Sequence, residues 1–159
     1  MGFGADLKSG AGVTACFASA GLAEGTNANT IKIVAPNGAG IDYAIDGYGY
    51  HKADTDNIAM TALAAQAALT TCLYLIQIDS DGTVSLLKGT EELTADLTAG
   101  IKVVHWPEPA DNKCPIGGFR VVLANAATFT SGTTDLSATD VTATFFNFVG
   151  GLPLGPKTS

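Results

Sequence analysis

Hydrophobic and polar residues alternate over much of the chain between residues 30 and 149, with the period of two that is typical of β-strands. Residues 41–46 are the clearest case, because Ile41, Tyr43 and Ile45 fall on one face of the predicted strand. Turn sequences that tolerate a positive φ, such as Asn-Gly and Asp-Gly, separate several of these segments. Two further segments, 72–78 and 142–149, are apolar on both faces. Together these features predict strands at residues 31–34, 41–46, 48–51, 72–78, 83–88, 101–106, 119–123 and 142–149.

One segment, at about residues 58–69, departs from the alternation and predicts a helix. Its apolar residues lie almost all round the helix, with Gln66 and Thr70 as a narrow polar strip, so we expect burial on more than one side. Residues 54–57 precede it with side chains suited to an N-cap. The uncharged run 57–78 has the length of a membrane span, but its threonines and glutamines favour a helix that leads into a strand.

The first 29 residues are rich in Gly, Ala, Ser and Asn and show no sustained period. They form either a solvated tail or an assembly arm that becomes ordered on a neighbouring subunit, and the low charge favours the arm. We therefore predict an N-terminal arm at 1–29, a β-rich domain at 30–150 and a C-terminal tail at 151–159. The predicted fold is mainly β, a compact antiparallel sandwich or barrel-like domain of seven to eight short strands with one short helix and an extended N-terminal arm.

The charge balance narrows the range of partners. The chain of 159 residues has 8 Lys and Arg against 15 Asp and Glu, which gives a net charge of -7. Without a basic cluster to release phosphate counterions, we expect no nucleic-acid partner and no binding to an anionic membrane. Charged residues make up only 14% of the chain, which favours a protein that is packed against copies of itself or of another protein.

The sequence predicts no catalytic site, no metal site and no cofactor. Cys16, Cys72 and Cys114 have no ligand spacing typical of zinc, and they are interpreted as reduced packing residues, with a single disulfide as the alternative. Neither His51 nor His105 belongs to a recognisable nucleophile motif. Residues 79–82 (DSDG) favour a hairpin turn over a calcium loop, because the later ligands of such a loop are missing.

Large apolar residues are the candidate interaction sites. Aromatic residues on both faces of a short strand indicate either a central strand or a subunit contact, and the sequence leaves these two possibilities open. The candidate interface comprises Phe3, Val13, Phe17, Leu22, Tyr48, Tyr50, Phe145, Phe146 and Phe148.

Several segments together resemble a family of small virion proteins of tailed bacteriophages. The resemblance covers the chain from about residue 30 onward and lies in residues 41–47 (IDYAIDG), 52–57 (KADTDN), 72–75 (CLYL), 106–109 (WPEP), 114–117 (CPIG) and 128–136 (TFTSGTTDL). The relatives of this size and composition are capsid decoration or cement proteins. These proteins bind the outside of the head, commonly as trimers, and hold neighbouring capsid subunits together.

The resemblance implies a structural role without catalytic residues. The expected partners are the major capsid protein and further copies of the chain, as a homotrimer or another homo-oligomer. The expected location is the outer capsid surface of the virion, after synthesis in the host cytoplasm. Alternative functions are a head-fibre, tail or host-adhesion module, or else a small enzyme or carbohydrate-binding domain.

Overall fold

A computed structural model describes residues 12–152 of the chain, and these residues form eleven β-strands and one short helix. The helix, α1, covers Thr94–Thr98. The strands are β1 (Ala15–Cys16), β2 (Ala23–Glu24), β3 (Thr30–Ile33), β4 (Ile41–Ile45), β5 (Tyr48–Lys52), β6 (Thr55–Ala59), β7 (Thr70–Ile78), β8 (Val84–Lys88), β9 (Glu92–Leu93), β10 (Cys114–Leu123) and β11 (Val141–Asn147).

The strands are arranged in three antiparallel sheets. Two of them have three strands each, in the orders β1-β4-β5 and β2-β3-β6. The third has the order β11-β10-β7-β8, and β9 pairs with the beginning of β7. The prediction of a mainly β fold is therefore confirmed, and none of these sheets closes into a barrel within the described residues.

The three sheets share one hydrophobic core. The five-stranded sheet contributes one face, on which the ring of Tyr74 stacks on Phe119 at a centroid distance of 5.0 Å. Phe129, from the loop after β10, meets Tyr74 edge-on at 5.5 Å. The two smaller sheets add residues such as Ile33 and Tyr43 to the same cluster. Burial of these large side chains is the main stabilising contribution of the core.

The second face of the five-stranded sheet is also covered. Every residue of β7 is buried, which requires packing on both sides of that strand. On the second face, the ring of Trp106 lies against Gly118, where the space for a β-carbon is already filled. Phe146 and Phe148 meet the Trp106 ring edge-on at 5.8 Å and 5.0 Å. The segment that contains α1 and Trp106 therefore lies over this face.

Seven of the eight predicted strands are present. The predicted inward faces are also found, because Ile41, Tyr43 and Ile45 are buried on β4, as is Phe119 on β10. Asp79 closes the predicted hairpin turn by accepting the backbone N–H groups of residues 81 and 83. Four further strands, β1, β2, β6 and β9, were not predicted.

The prediction of a helix at about 58–69 is wrong. Residues 58 and 59 belong to β6, and residues 60–69 follow a non-helical path. Gln66 forms a β-bridge with Phe129, and the backbone N–H of Ala67 donates to Glu91. These long-range bonds outweigh the helix propensity of the alanines, which is worth less than about 1 kcal/mol per residue. The expected burial is absent as well, since most of these alanines are exposed.

The side chains interpreted as an N-cap at 54–57 serve another purpose. Asp56 accepts the backbone N–H of Thr26, and Asn57 accepts that of Asn27. Asp54 accepts the backbone N–H of Ala35. These three side chains therefore bind the turn before β3 and the residue Ala35 after β3.

The strand predicted at 101–106 is also absent, except for a single bridge residue, Val104. Pro107 and Pro109 follow closely, and proline cannot donate to a ladder. Instead the chain forms α1 just before this segment. The described part of the chain contains no helix with the length and hydrophobicity needed to cross a bilayer.

The predicted arm at 1–29 differs from the structure over residues 12–29. This segment contributes β1 and β2 to two different sheets, and Cys16, Ala20 and Leu22 belong to the core cluster. Residues 12–29 are therefore part of the domain. They lack a sustained sequence period because β1 and β2 have only two residues each. Residues 1–11 of the predicted arm and 153–159 of the predicted tail lie outside the described residues.

Candidate functional site

The predicted interface residues fall into an exposed group and a packed group. Val13, Phe17 and Tyr48 are exposed by 58%, 56% and 72%. The remaining members are half-buried or buried, and Phe3 lies outside the described residues. The packed members are Leu22, Tyr50, Phe145, Phe146 and Phe148.

The exposed group lies around the edge strand β1. The carbonyl of Val13 accepts the backbone N–H of Gly47, the residue before Tyr48, at 3.0 Å. At the other end of β1, the backbone N–H of Phe17 donates to the carbonyl of Asp42 at 2.9 Å. Val149 is exposed by 61%, and it is brought close because its neighbour Gly150 donates to the carbonyl of Cys16 at 2.8 Å. We call Val13, Phe17, Tyr48 and Val149 the β1-edge surface.

Polar groups lie beside Phe17 on the outer face of the same sheet, whereas the pairing of Tyr48 with Ile45 places Tyr48 on the opposite face. The antiparallel register places Asp42 opposite His51, and the carboxylate of Asp42 lies 2.8 Å from Nδ1 of His51. Both side chains are more than half exposed, so the pair contributes at most about 1 kcal/mol to stability. The backbone N–H of Phe17 bonds to Asp42, so an exposed aromatic lies next to an exposed polar pair, a combination typical of protein contact surfaces.

Tyr50, one of the packed members, packs against the core from β5. Its ring stacks on Tyr43 with a centroid distance of 5.6 Å, and it is half-buried at the end of the core. The hydroxyl of Tyr43 donates to the carbonyl of Asp79 at 2.8 Å. Burial raises the pKa of Tyr43 to about 12, which keeps this hydroxyl protonated as a donor.

The packed members contact other residues of the same domain. Leu22 is buried, and its backbone N–H donates to the side chain of Asn147 at 2.9 Å. Phe145 lies 5.5 Å from the Phe119 ring, on the core side of the sheet. Phe146 and Phe148 surround Trp106 on the opposite side. Leu22 and Phe148 are buried within the domain, so almost none of their side-chain surface is exposed.

The three cysteines are buried, unlinked thiols. Burial raises the pKa of Cys72 and Cys114 to about 12, and it raises the pKa of Cys16 as well. Thiolates are therefore disfavoured at all three positions, and such thiols are poor nucleophiles and poor metal ligands. Among residues 12–152, no three His, Cys, Asp or Glu side chains are grouped to hold a metal ion.

A cavity of about 500 Å³ lies on the second face of the five-stranded sheet. Thr71 and Arg120 line it from β7 and β10, and Leu97 lines it from α1. The Nε atom of Arg120 is buried and has no hydrogen-bond partner. Arg120 is not a predicted site residue, although it is the single arginine of the chain and lies within an otherwise apolar strand. A single arginine within an apolar strand is the feature of the sequence that could have identified Arg120 as a candidate site residue.

Val149 is the member of the β1-edge surface that the prediction missed. It follows Phe148 in the sequence, and the alternation of a strand would place only one of the two outward. The chain leaves β11 at Asn147, so the exposure of Val149 depends on the path after the strand.

Comparison with known proteins gives no match: no protein-family model, no curated protein and no solved structure is significantly similar to this chain. The resemblance to phage virion proteins therefore rests on the sequence segments quoted above, and the functional assignment stays a prediction.

Proposed function

We propose that this protein is a structural component of a tailed-phage virion, and specifically a capsid decoration or cement protein. In this role it binds the outside of the head and stabilises contacts between major capsid subunits, as a homotrimer or another homo-oligomer. No catalytic step is part of the proposal.

The observation that carries the proposal is the β1-edge surface. Isolated exposed apolar residues are common on monomers, but several large ones grouped around one short strand favour a site of protein–protein contact. Full burial of a side chain such as Phe17 against a partner contributes about 1.5–3 kcal/mol. A few such contacts, repeated over many copies, are sufficient to stabilise a shell.

Charge supports an external position on the particle. The net charge of -7 disfavours contact with packaged DNA. The sequence segments that resemble virion proteins are the second line of support, and they are independent of the surface.

The test uses a phage whose genome encodes this chain, prepared with the gene deleted. Purified protein is added back to the particles, and the temperature of DNA release is measured. We expect the unsubstituted protein to raise that temperature, because a ligand of the assembled shell stabilises it by mass action. Equal release temperatures with and without the protein would refute the cement role.

A matched pair of variants tests the surface itself. Phe17→Ser should weaken binding to the heads by tenfold or more, which is about 1.4 kcal/mol. Leu93→Ser is the control, because Leu93 is exposed by 51%, close to the 56% of Phe17, but lies on β9 at another sheet. The position of the protein on the particle is measured by electron microscopy with a gold label. If the label lies on the tail or on a few fibres instead of the head, the decoration role is wrong and the alternative virion role replaces it.

A further inference from the structure

The cavity beside Arg120 lies between two layers of the fold and is open to solvent on one side. One wall is the second face of the five-stranded sheet, with Thr71 on β7 and Arg120 and Val122 on β10. The other wall consists of α1 and residues 100–104. Its volume of about 500 Å³ falls within the range of about 300–1,000 Å³ that is typical of small-molecule sites.

Arg120 lines this cavity as a half-buried cation without an ion-pair partner among the described residues. Within residues 12–152, the ion pairs join other residues: His51 with Asp42, Lys88 with Glu91, Lys102 with Glu92 and Lys113 with Asp79. The buried Nε of Arg120 has no hydrogen-bond partner. A buried donor without a partner costs about 1–3 kcal/mol, so its presence calls for an explanation such as a ligand.

The hydroxyl groups of the cavity provide a further donor. The hydroxyls of Thr71 and Thr94 lie 2.9 Å apart, and either one can donate to the other. Whichever donates, the hydroxyl proton of its partner is left over for a ligand. Thr98 has no proton to spare, because its hydroxyl donates to the carbonyl of Thr94.

Most of the remaining lining is apolar, and Arg120 is the one lining cation that no carboxylate in the described part of the chain pairs with. Leu97, Val103, Val104 and Val122 contribute hydrophobic surface. Lys102 also lines the cavity, but its ammonium group lies 3.6 Å from the carboxylate of Glu92. One unpaired cation therefore remains, which matches a monoanion better than a dianion such as a phosphate monoester.

We propose that this cavity binds a small monocarboxylate with an apolar body. The planar guanidinium of Arg120 donates to the carboxylate, since arginine matches a carboxylate in a bidentate geometry. The free hydroxyl of the Thr71–Thr94 pair donates to the same group, and the apolar body lies against Leu97 and Val122. This site does not depend on the proposed role in the virion.

The experiment measures the binding of straight-chain carboxylates, from hexanoate to decanoate, by isothermal titration calorimetry below their micelle concentrations. Each carboxylate is compared with its primary amide, which has the same shape and no charge. We expect saturable binding with one site, and at least about tenfold weaker binding of the amide, because a hydrogen bond to a charged group contributes more than one to a neutral group.

Two substitutions with the same change in net charge complete the test. Arg120→Met should reduce the affinity for the carboxylate to that for the amide, whereas Lys32→Met, on β3 in another sheet, should leave it unchanged. Thermal melts check that both variants fold. If Arg120→Met does not fold, the comparison of acid with amide on the unsubstituted protein decides.

Carboxylate binding through Arg120 is overturned by any of three results. The first is the absence of saturable carboxylate binding, and the second is equal affinity for acid and amide. The third is a folded Arg120→Met variant that binds the carboxylate as tightly as the unsubstituted protein. Binding of inorganic phosphate as tightly as the best carboxylate would also overturn the proposed monocarboxylate class.

Discussion

Substitution of Gln66 tests the path of residues 60–69 and the buried polar network at its end. The side chain is fully buried, and Nε2 donates to the carbonyl of Val121 at 3.2 Å and to Thr70. Its Oε1 atom accepts the hydroxyl of Tyr74 at 3.1 Å. If the segment were a helix with Gln66 on a polar strip, removal of this amide would have almost no effect on stability.

Gln66→Met retains the length of the side chain and removes these hydrogen bonds. It leaves the hydroxyl of Tyr74 without its acceptor and deprives the carbonyl of Val121 of a donor. Each buried unsatisfied group costs about 1–3 kcal/mol, so we expect a loss of about 2–4 kcal/mol in the free energy of unfolding. At about 2–4 °C per kcal/mol for a chain of this size, the midpoint of thermal unfolding falls by about 5–15 °C.

A double-mutant cycle with Tyr74→Phe identifies the bond itself. Tyr74→Phe keeps the ring that stacks on Phe119 and removes only the hydroxyl. Because the two groups bond to each other, the double variant should lose about 1–2 kcal/mol less than the sum of the single losses in urea denaturation. Gln77→Met is the control, since Gln77 is also buried but accepts the backbone N–H of Ala110 instead.

Two results would refute this reasoning. The first is a Gln66→Met variant within about 0.5 kcal/mol of the unsubstituted protein, which would mean that the amide is solvated and not buried. The second is additivity of Gln66→Met and Tyr74→Phe, which would mean that the two side chains do not bond.

Two further predictions concern titration and packing. The free energy of unfolding should fall as the pH rises from 9 towards 12. Burial raises the pKa of Cys72 and Cys114 from 9.0 to about 12, so these thiols ionise first in the unfolded chain. Urea denaturation at several pH values in this range measures the fall, and replacement of both cysteines by Ala should reduce it. Gly118→Ala should destabilise the domain by about 1–3 kcal/mol and shift the fluorescence of Trp106, the single tryptophan, because the new β-carbon would lie 2.4 Å from both that ring and a backbone carbonyl oxygen. Gly49→Ala, where nothing lies within 4 Å, should change neither property.

The candidate surface was predictable only in part. Val13 and Phe17 were identified as apolar residues of the predicted arm and Tyr48 as an aromatic on a short strand, and all three are exposed. Leu22 and Phe148 have the same sequence signature but are buried. A large apolar residue in a short strand gives no local sign of whether its own domain or a partner covers it, because burial depends on distant segments of the chain.

The sequence by itself determined most of the sheet. A period of two is a property of neighbouring residues, so β4 and the second half of β10 could be located, and their inward faces assigned, without any knowledge of the fold. The strands β7 and β11 were predicted from short runs that are apolar on both faces. The mainly β class followed from the number of such segments and from the turns between them.

The tertiary structure decided the rest. The alanine-rich segment before β7 has a local preference for helix, but Gln66 bonds to Val121, 55 residues away, and that buried bond is possible only once the sheet has formed. The cavity beside Arg120 likewise depends on how α1 lies over the second face of the sheet, which no local pattern specifies. Local periodicity therefore predicts an element when its contacts agree with its propensity, and it fails where a few long-range polar bonds stabilise a different path.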